Sequence, residues 1–269
     1  MKTIGFIDLY ISEWHANNYP KWIKKAADAL GEELVVKYVW AEEDKSPVDG
    51  RTTAEWCEAF GATACASIGE VCEKSDFIFI LAPSNPEKHL AYAREVFPFG
   101  KPTYVDKTFA PTVADAEAIF ALAKQYGTPF FSTSALRYAT ELDAISVQST
   151  LAVTGGGSNF PEYSIHQIEM IVKLMGGDFT TVTAEKTEDG YAAAVTFADG
   201  RTATVAYAPT NRFTLTADGT LTPVASDFFG LLIADVVRFF LEGTVSFDTA
   251  ETLAVIRLRE EILGKVGLA

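Results

Sequence analysis

The sequence predicts an α/β fold: an N-terminal Rossmann-type, doubly wound parallel sheet over residues 1–138, then an α+β unit with a mainly antiparallel sheet over 139–269. Three observations carry that prediction. Short apolar runs alternate with helical patterns in the first half, as parallel strands joined by right-handed crossovers do. Longer alternating stretches split by Asp-Gly pairs follow, as hairpins do. The chain has 269 residues, 48% of them hydrophobic and 19 of them Phe, so it can bury a sizeable core.

Five apolar runs mark the parallel strands, at 3–7, 34–40, 77–82, 102–105 and 129–131. Thr112 and Asp115 stand in capping-box spacing before a helix over 113–126, where Ile119, Leu122 and Ala123 share a stripe and Gly127 marks the stop. Pro86 opens another helix that runs through Tyr92, and Pro98 ends it. Beyond about residue 140, Asp189-Gly190 and Asp199-Gly200 divide strands at 182–186, 191–198 and 201–208. Tyr191, Val195 and Phe197 alternate with small residues, so one face of this meander is apolar and packed. Helices at 161–175, 227–241 and 250–263 complete the second unit.

Lys and Arg number 22 against 36 Asp and Glu, a formal charge of −14. A field of that sign repels nucleic acid and anionic membrane surfaces, so neither is expected as a partner. No apolar run reaches about 18 residues and no charged-then-apolar leader opens the chain, so a cytoplasmic protein is expected. Cys57, Cys65 and Cys72 are odd in number and form no CxxC pair, which fits reduced thiols.

Lys107 is the most informative single residue. It follows the strand at 102–105, and strand ends of open α/β sheets line the ligand crevice. The plain alternative is a lysine on a solvated rim. Glu162 and His166 are four apart on the helix at 161–175 and share a face, where the carboxylate would fix the imidazole tautomer. Histidine titrates near neutrality and suits the removal of a hydroxyl proton; the rival reading makes it a core-facing residue. Glu169 extends the face to i, i+4, i+7, but no fourth ligand stands near it, and no metal is expected.

The stretch Gly100-Lys-Pro-Thr-Tyr-Val-Asp-Lys-Thr-Phe-Ala resembles the segment ending in Glu-Lys-Pro of the Gfo/Idh/MocA oxidoreductases. Leu81-Ala-Pro with His89 after it, Ser-Ala-Leu-Arg-Tyr at 134–138, Ile165-His-Gln-Ile-Glu-Met-Ile-Val-Lys-Leu-Met-Gly and the helices of the tail agree in order and spacing. The resemblance implies NAD or NADP as cofactor and hydride transfer to or from a sugar, cyclitol or related polyol. It implies that Lys107 and His166 are catalytic, with Glu162 in the place of the family's aspartate. It places Leu9, Ser12, His15, Glu42, Pro83, His89, Asp106 and Lys107 along the dinucleotide. It also implies a homo-oligomer, dimer or tetramer, formed through the second sheet.

The departures from the family are local. Ile7, Leu9 and Ser12 hold the three positions of the glycine fingerprint, where the family needs a tight turn, close approach to pyrophosphate and helix packing. Asp8 and Glu13 add negative charge there, and each close unscreened contact with a phosphate would cost about 1–4 kcal/mol. Asp106 and Thr108 replace the Glu and Pro that flank the lysine. Glu42 or Glu43 would bind an adenosine ribose and favour NAD, or is a solvated loop charge. Two other functions stay open: a binding or regulatory protein for a sugar-like ligand that has lost its dinucleotide, and a redox-neutral proton-transfer or elimination enzyme.

Overall fold

The first of two units comprises Met1–Ala110, Ala114–Ser132 and Ile233–Ser246 of a computed structural model that describes residues 1–268. Its strands are β1 (Lys2–Asp8), β2 (Leu34–Ala41), β3 (Thr63–Ala64), β4 (Phe77–Ile80), β5 (Thr103–Val105) and β6 (Phe130–Phe131). They run parallel in the order β3-β2-β1-β4-β5-β6. The order reverses between β1 and β4, and the space beyond the carboxyl ends of those two strands is where such sheets bind ligands. The five expected strands are present. β3 adds a sixth that carries no apolar run, since both of its residues are exposed.

Helices α1 (Trp14–Ala29), α2 (Thr53–Phe60), α3 (Ile68–Lys74), α4 (His89–Val96) and α5 (Val113–Tyr126) connect the strands. Thr52 and Glu55 close a capping box at the start of α2, and Gly61, at φ 68°, ends it. The Pro86 helix begins as a 3-10 turn over Pro86–Lys88 and becomes α-helical only from His89. Gly5 lets β1 approach α3 closely: a Cβ there would lie 2.4 Å from Val71 Cγ1 and 2.6 Å from Ser75 Oγ.

The core of this unit is an aromatic row. Phe6, Phe79, Tyr104 and Phe131 sit in register on β1, β4, β5 and β6, with ring centroids 5.3, 5.3 and 5.2 Å apart. Phe239 and Phe240, from the distant C-terminal helix α7 (Phe228–Glu242), close the row at 5.0 Å from Phe131 and 4.8 Å from Phe77. Edge-to-face and stacked pairs of this kind each add about 0.5–1.5 kcal/mol beyond the area they bury. That packing brings residues 233–246 back into the first unit.

The second unit comprises Pro111–Val113, Thr133–Leu232 and the chain from Phe247 onward. Its strands are β7 (Thr150–Gly155), β8 (Phe179–Lys186), β9 (Tyr191–Phe197), β10 (Thr202–Tyr207), β11 (Thr214–Ala217) and β12 (Thr220–Pro223), ordered β12-β11-β7-β10-β9-β8. Among the described residues, only the β7–β10 pairing of this sheet is parallel. The β8-β9-β10 meander is the expected one, and along β10 the buried Ala203, Val205 and Tyr207 alternate with exposed Thr202, Thr204 and Ala206. Helices α6 (Phe160–Met175) and α8 (Ala250–Lys265) pack on this sheet. Gln167 on α6 donates to Val153 O at 3.2 Å and Ala206 O at 3.0 Å, and Phe160 stacks on Tyr191 at 4.4 Å.

Candidate functional site

The turn after β1 is built from carboxylates. Asp8, at the end of the strand, accepts the amides of Leu9 at 2.7 Å and Ala82 at 3.0 Å on one oxygen, and so bridges the two strand ends at the point where the sheet order reverses. Its other oxygen is buried with no hydrogen-bond partner among the described residues. Burial and the neighbouring Glu13 charge push the Asp8 carboxyl well above its usual range. Glu13 is the N-cap of α1, and its carboxylate accepts the amides of His15, at 2.7 Å, and Ala16. Burial raises its pKa as well. Leu9, Ile11 and Ser12 are buried between them. Ser46 donates to Ser12 O at 2.6 Å and Ser12 to Asp49 at 2.8 Å, which fastens the 44–52 loop over the turn.

Asp106 is the hub of the next strand end. Its carboxylate, fully buried, meets His15 Nδ1 at 2.5 Å, accepts from Tyr19 Oη at 3.1 Å and accepts the Lys107 amide at 2.8 Å. Burial pushes this carboxyl up, but His15 and Lys107 outweigh it and hold the group below its usual value. Asp106 thus ties α1 to β5 and fixes the backbone from which Lys107 departs. Lys107 is 7% exposed, and the peptide that follows it is cis. His89 engages Phe109 O at 2.9 Å through Nδ1 and Leu81 O at 2.5 Å through Nε2, so it braces the turn after Lys107 against the end of β4. Pro83, three residues past the end of β4, is buried. Glu42 accepts from Lys88 at 2.6 Å and from Tyr92 at 2.7 Å; the Lys88 bond, then the Tyr92 bond, hold its carboxyl below the usual value.

In the second unit, α6 carries His166, 8% exposed, with Ser134 Oγ at 2.7 Å from its Nδ1. The rings of Tyr163 and Phe213 stand 5.6 and 5.8 Å away, edge-on. Ser134 Oγ also accepts the Leu136 amide at 3.3 Å. When Nδ1–H donates to Ser134, Nε2 is left as the proton acceptor, which is the tautomer a general base needs. Glu162 closes the N-cap of α6 with Asn159, its Oε2 accepting from Asn159 Nδ2 at 3.1 Å. Glu169 accepts from Arg137 Nε at 2.5 Å and Thr133 at 2.9 Å. Among the described residues no three His, Cys, Asp or Glu side chains are grouped to hold a metal ion.

Ser134, the hydroxyl partner of His166, carries no signal of that role in the sequence. A serine before a short turn gives a cap signal, and only the tertiary fold brings it to the histidine 32 residues on.

The residues fit a dinucleotide at the strand ends and disagree with it at the first turn of α1. A pyrophosphate there is held by backbone amides at the helix N-terminus. Here the His15 and Ala16 amides serve Glu13, and a phosphate competes with its carboxylate for them.

No family model matches the chain. Solved structures do. GenD2 from gentamicin A biosynthesis, in complex with NAD, superposes with a TM-score of 0.76 at 14% identity, over 99% of this chain and 95% of that one. UDP-N-acetylglucosamine 3-dehydrogenase GnnA from Acidithiobacillus ferrooxidans gives 0.77 at 14% identity, over 98% and 97%. The chain has the fold of the Gfo/Idh/MocA oxidoreductases. In sequence, it is 34% identical over 68 residues to the uncharacterized oxidoreductase YhhX of Escherichia coli (strain K12). That match takes in 24% of this chain and spans 20% of YhhX. No helix of the Gfo/Idh/MocA-type fold described here is long and apolar enough to cross a membrane.

Proposed function

We propose that the chain is an NAD(P)-linked oxidoreductase that interconverts a carbinol and a carbonyl on a sugar, cyclitol or related polyol. The observation that carries this reading is a buried histidine on α6 whose Nδ1 is engaged by a serine hydroxyl, in the fold shared with GenD2 and GnnA. NAD, bound by GenD2, and the 3-dehydrogenation of a nucleotide sugar, performed by GnnA, support the cofactor and the substrate class.

Bound nicotinamide would supply the acceptor or donor of the hydride. Leu9, Ser12, His15, Glu42, Pro83, His89, Asp106 and Lys107 are the residues proposed to line it. His166 takes the hydroxyl proton through Nε2. Lys107, its backbone fixed by Asp106, stabilises the oxygen as charge develops. Glu162, about one turn before His166 on the same helix, adds negative charge there. The second sheet leaves a face of small residues that includes Thr183, Ala194 and Thr204 exposed; on this reading it is where two copies meet.

Calorimetric titration with NADH and NADPH, followed by turnover assays on inositols and nucleotide sugars, tests the proposal. Micromolar to low-millimolar binding and cofactor-dependent turnover are expected. Absence of binding of either dinucleotide at millimolar concentration removes it and favours a second reading, a ligand-binding protein without redox chemistry. That reading draws its support from the Glu13 carboxylate on the very helix N-terminal amides a phosphate would use.

A further inference from the structure

We propose that Glu13 is a tethered competitor for the dinucleotide: its carboxylate occupies the place of a phosphate on the α1 N-terminus, and its displacement sets the affinity of the crevice. The inference rests on the oxidoreductase reading and adds to it a residue that controls cofactor affinity.

Three observations point the same way. First, the side chain is a chemical mimic of what it excludes. One oxygen accepts the His15 amide and the other the Ala16 amide, so the two donors that would meet a phosphate oxygen are both satisfied, and the positive end of the α1 dipole is neutralised. Glutamate is outside the residue types that cap helices by preference, whose side chains are shorter. Second, this is not a solvated cap, for Glu13 is 7% exposed in a turn where Leu9, Ile11 and Ser12 are also buried. Third, the crevice holds a polar atom that nothing uses. Asp8 Oδ2, on a residue 1% exposed, has no hydrogen-bond partner among the described residues, and Asp8 lies close enough to Glu13 for the two charges to interact. An oxygen of this kind can take a further donor or a proton, so the turn is not saturated by its own groups and can rearrange around the Glu13 carboxylate. The outer cover is light: two serine hydroxyl bonds, Ser46 to Ser12 O and Ser12 to Asp49, fasten the 44–52 loop to the turn.

A bound competitor lowers apparent affinity by the fraction of molecules in which the site is open. Removing it therefore tightens binding without adding any contact. Glycine is well tolerated at an N-cap and takes the carboxylate away entirely; glutamine keeps the shape and removes the charge. The experiment is a titration of the full chain with NADH, read by nicotinamide fluorescence, for the wild type, Glu13→Gly and Glu13→Gln at one pH and ionic strength. Circular dichroism melts report whether each variant is folded.

Glu13→Gly is expected to bind NADH at least about tenfold more tightly than the wild type, with a smaller gain of the same sign for Glu13→Gln. Equal or weaker binding by folded Glu13→Gly overturns the inference, as does the absence of binding by all three proteins. Should Glu13→Gly not fold, Glu13→Gln decides alone, and an unchanged or reduced affinity is the adverse result. The two proposals fail separately. Wild-type turnover with an unchanged Glu13→Gly affinity removes the role of Glu13 and leaves the oxidoreductase. Tightened binding with no turnover of any polyol by any of the three does the reverse.

Discussion

At the scale of single residues, Ser134 and Asp8 make the sharpest predictions. If Ser134 holds His166 in the base tautomer, Ser134→Ala leaves the ring present but unoriented. A loss of about tenfold in kcat with little change in KM is expected, and a shifted acid limb of the kcat/KM profile, while His166→Asn costs about 10²–10⁴-fold. An unchanged profile for Ser134→Ala would show that the hydroxyl does not tune the base. Asp8 predicts a pH dependence of stability. Its carboxyl is pushed up by burial and then by Glu13, so its native pKa lies above its unfolded value of about 3.9. Such a group favours the folded state below the unfolded pKa and loses that contribution as pH rises through the native one. Asp8→Asn keeps the acceptor for Leu9 and Ala82 and cannot titrate. The urea midpoint of Asp8→Asn should therefore gain on that of the wild type as pH rises above the unfolded value; a gap that does not change with pH would mean that Asp8 is ionised throughout.

At the scale of elements, legibility followed the periodicity. The five apolar runs of the first unit and the Asp-Gly meander read correctly because burial on both faces, or on alternate residues, writes itself into the sequence. β3 did not, because its two exposed residues pair with β2 only through main-chain groups. β11 and β12 are four residues each, and their turn at Asp218 and Gly219, with φ of 47° and 88°, is an Asp-Gly hairpin like the two that were recognised. Asp218 does more than turn the chain: it accepts the amides of Gln148, Ser149 and Thr150 at 2.7 to 2.9 Å, which pins the start of β7. Those backbone bonds hold its carboxyl far below the usual range. Asp218→Ala should expose the amides of 148–150 to hydrogen exchange before those of β9 and β10. Gln167, reaching two strands from a helix, is the other such link, and Gln167→Leu, which removes the donor shared by the two strand carbonyls, is expected to cost about 1–3 kcal/mol in urea unfolding. The α7 return to the first unit was illegible for a related reason: Phe239 and Phe240 are an apolar pair like any other until Phe77 and Phe131 are beside them.

At the scale of the whole molecule, the charge of −14 acts on every anionic ligand, whatever Glu13 does at close range. The two effects separate by distance. Glu13 and the amides it holds are within hydrogen-bond reach and buried, where salt screens little, whereas the net field is spread over the surface and fades within one Debye length, about 30 Å at 0.01 M ionic strength and about 10 Å at 0.1 M. NADH is an anion, so the field opposes it, and screening the field removes the opposition. Raising ionic strength from about 0.01 to 0.1 M should therefore lower the Kd for NADH, the reverse of what a cationic phosphate site shows. The slope should be the same in the wild type and in Glu13→Gln apart from the single charge removed. A Kd that rises with salt would mean that local cations such as Lys107 dominate the approach of the dinucleotide, and that the acidic surface faces elsewhere.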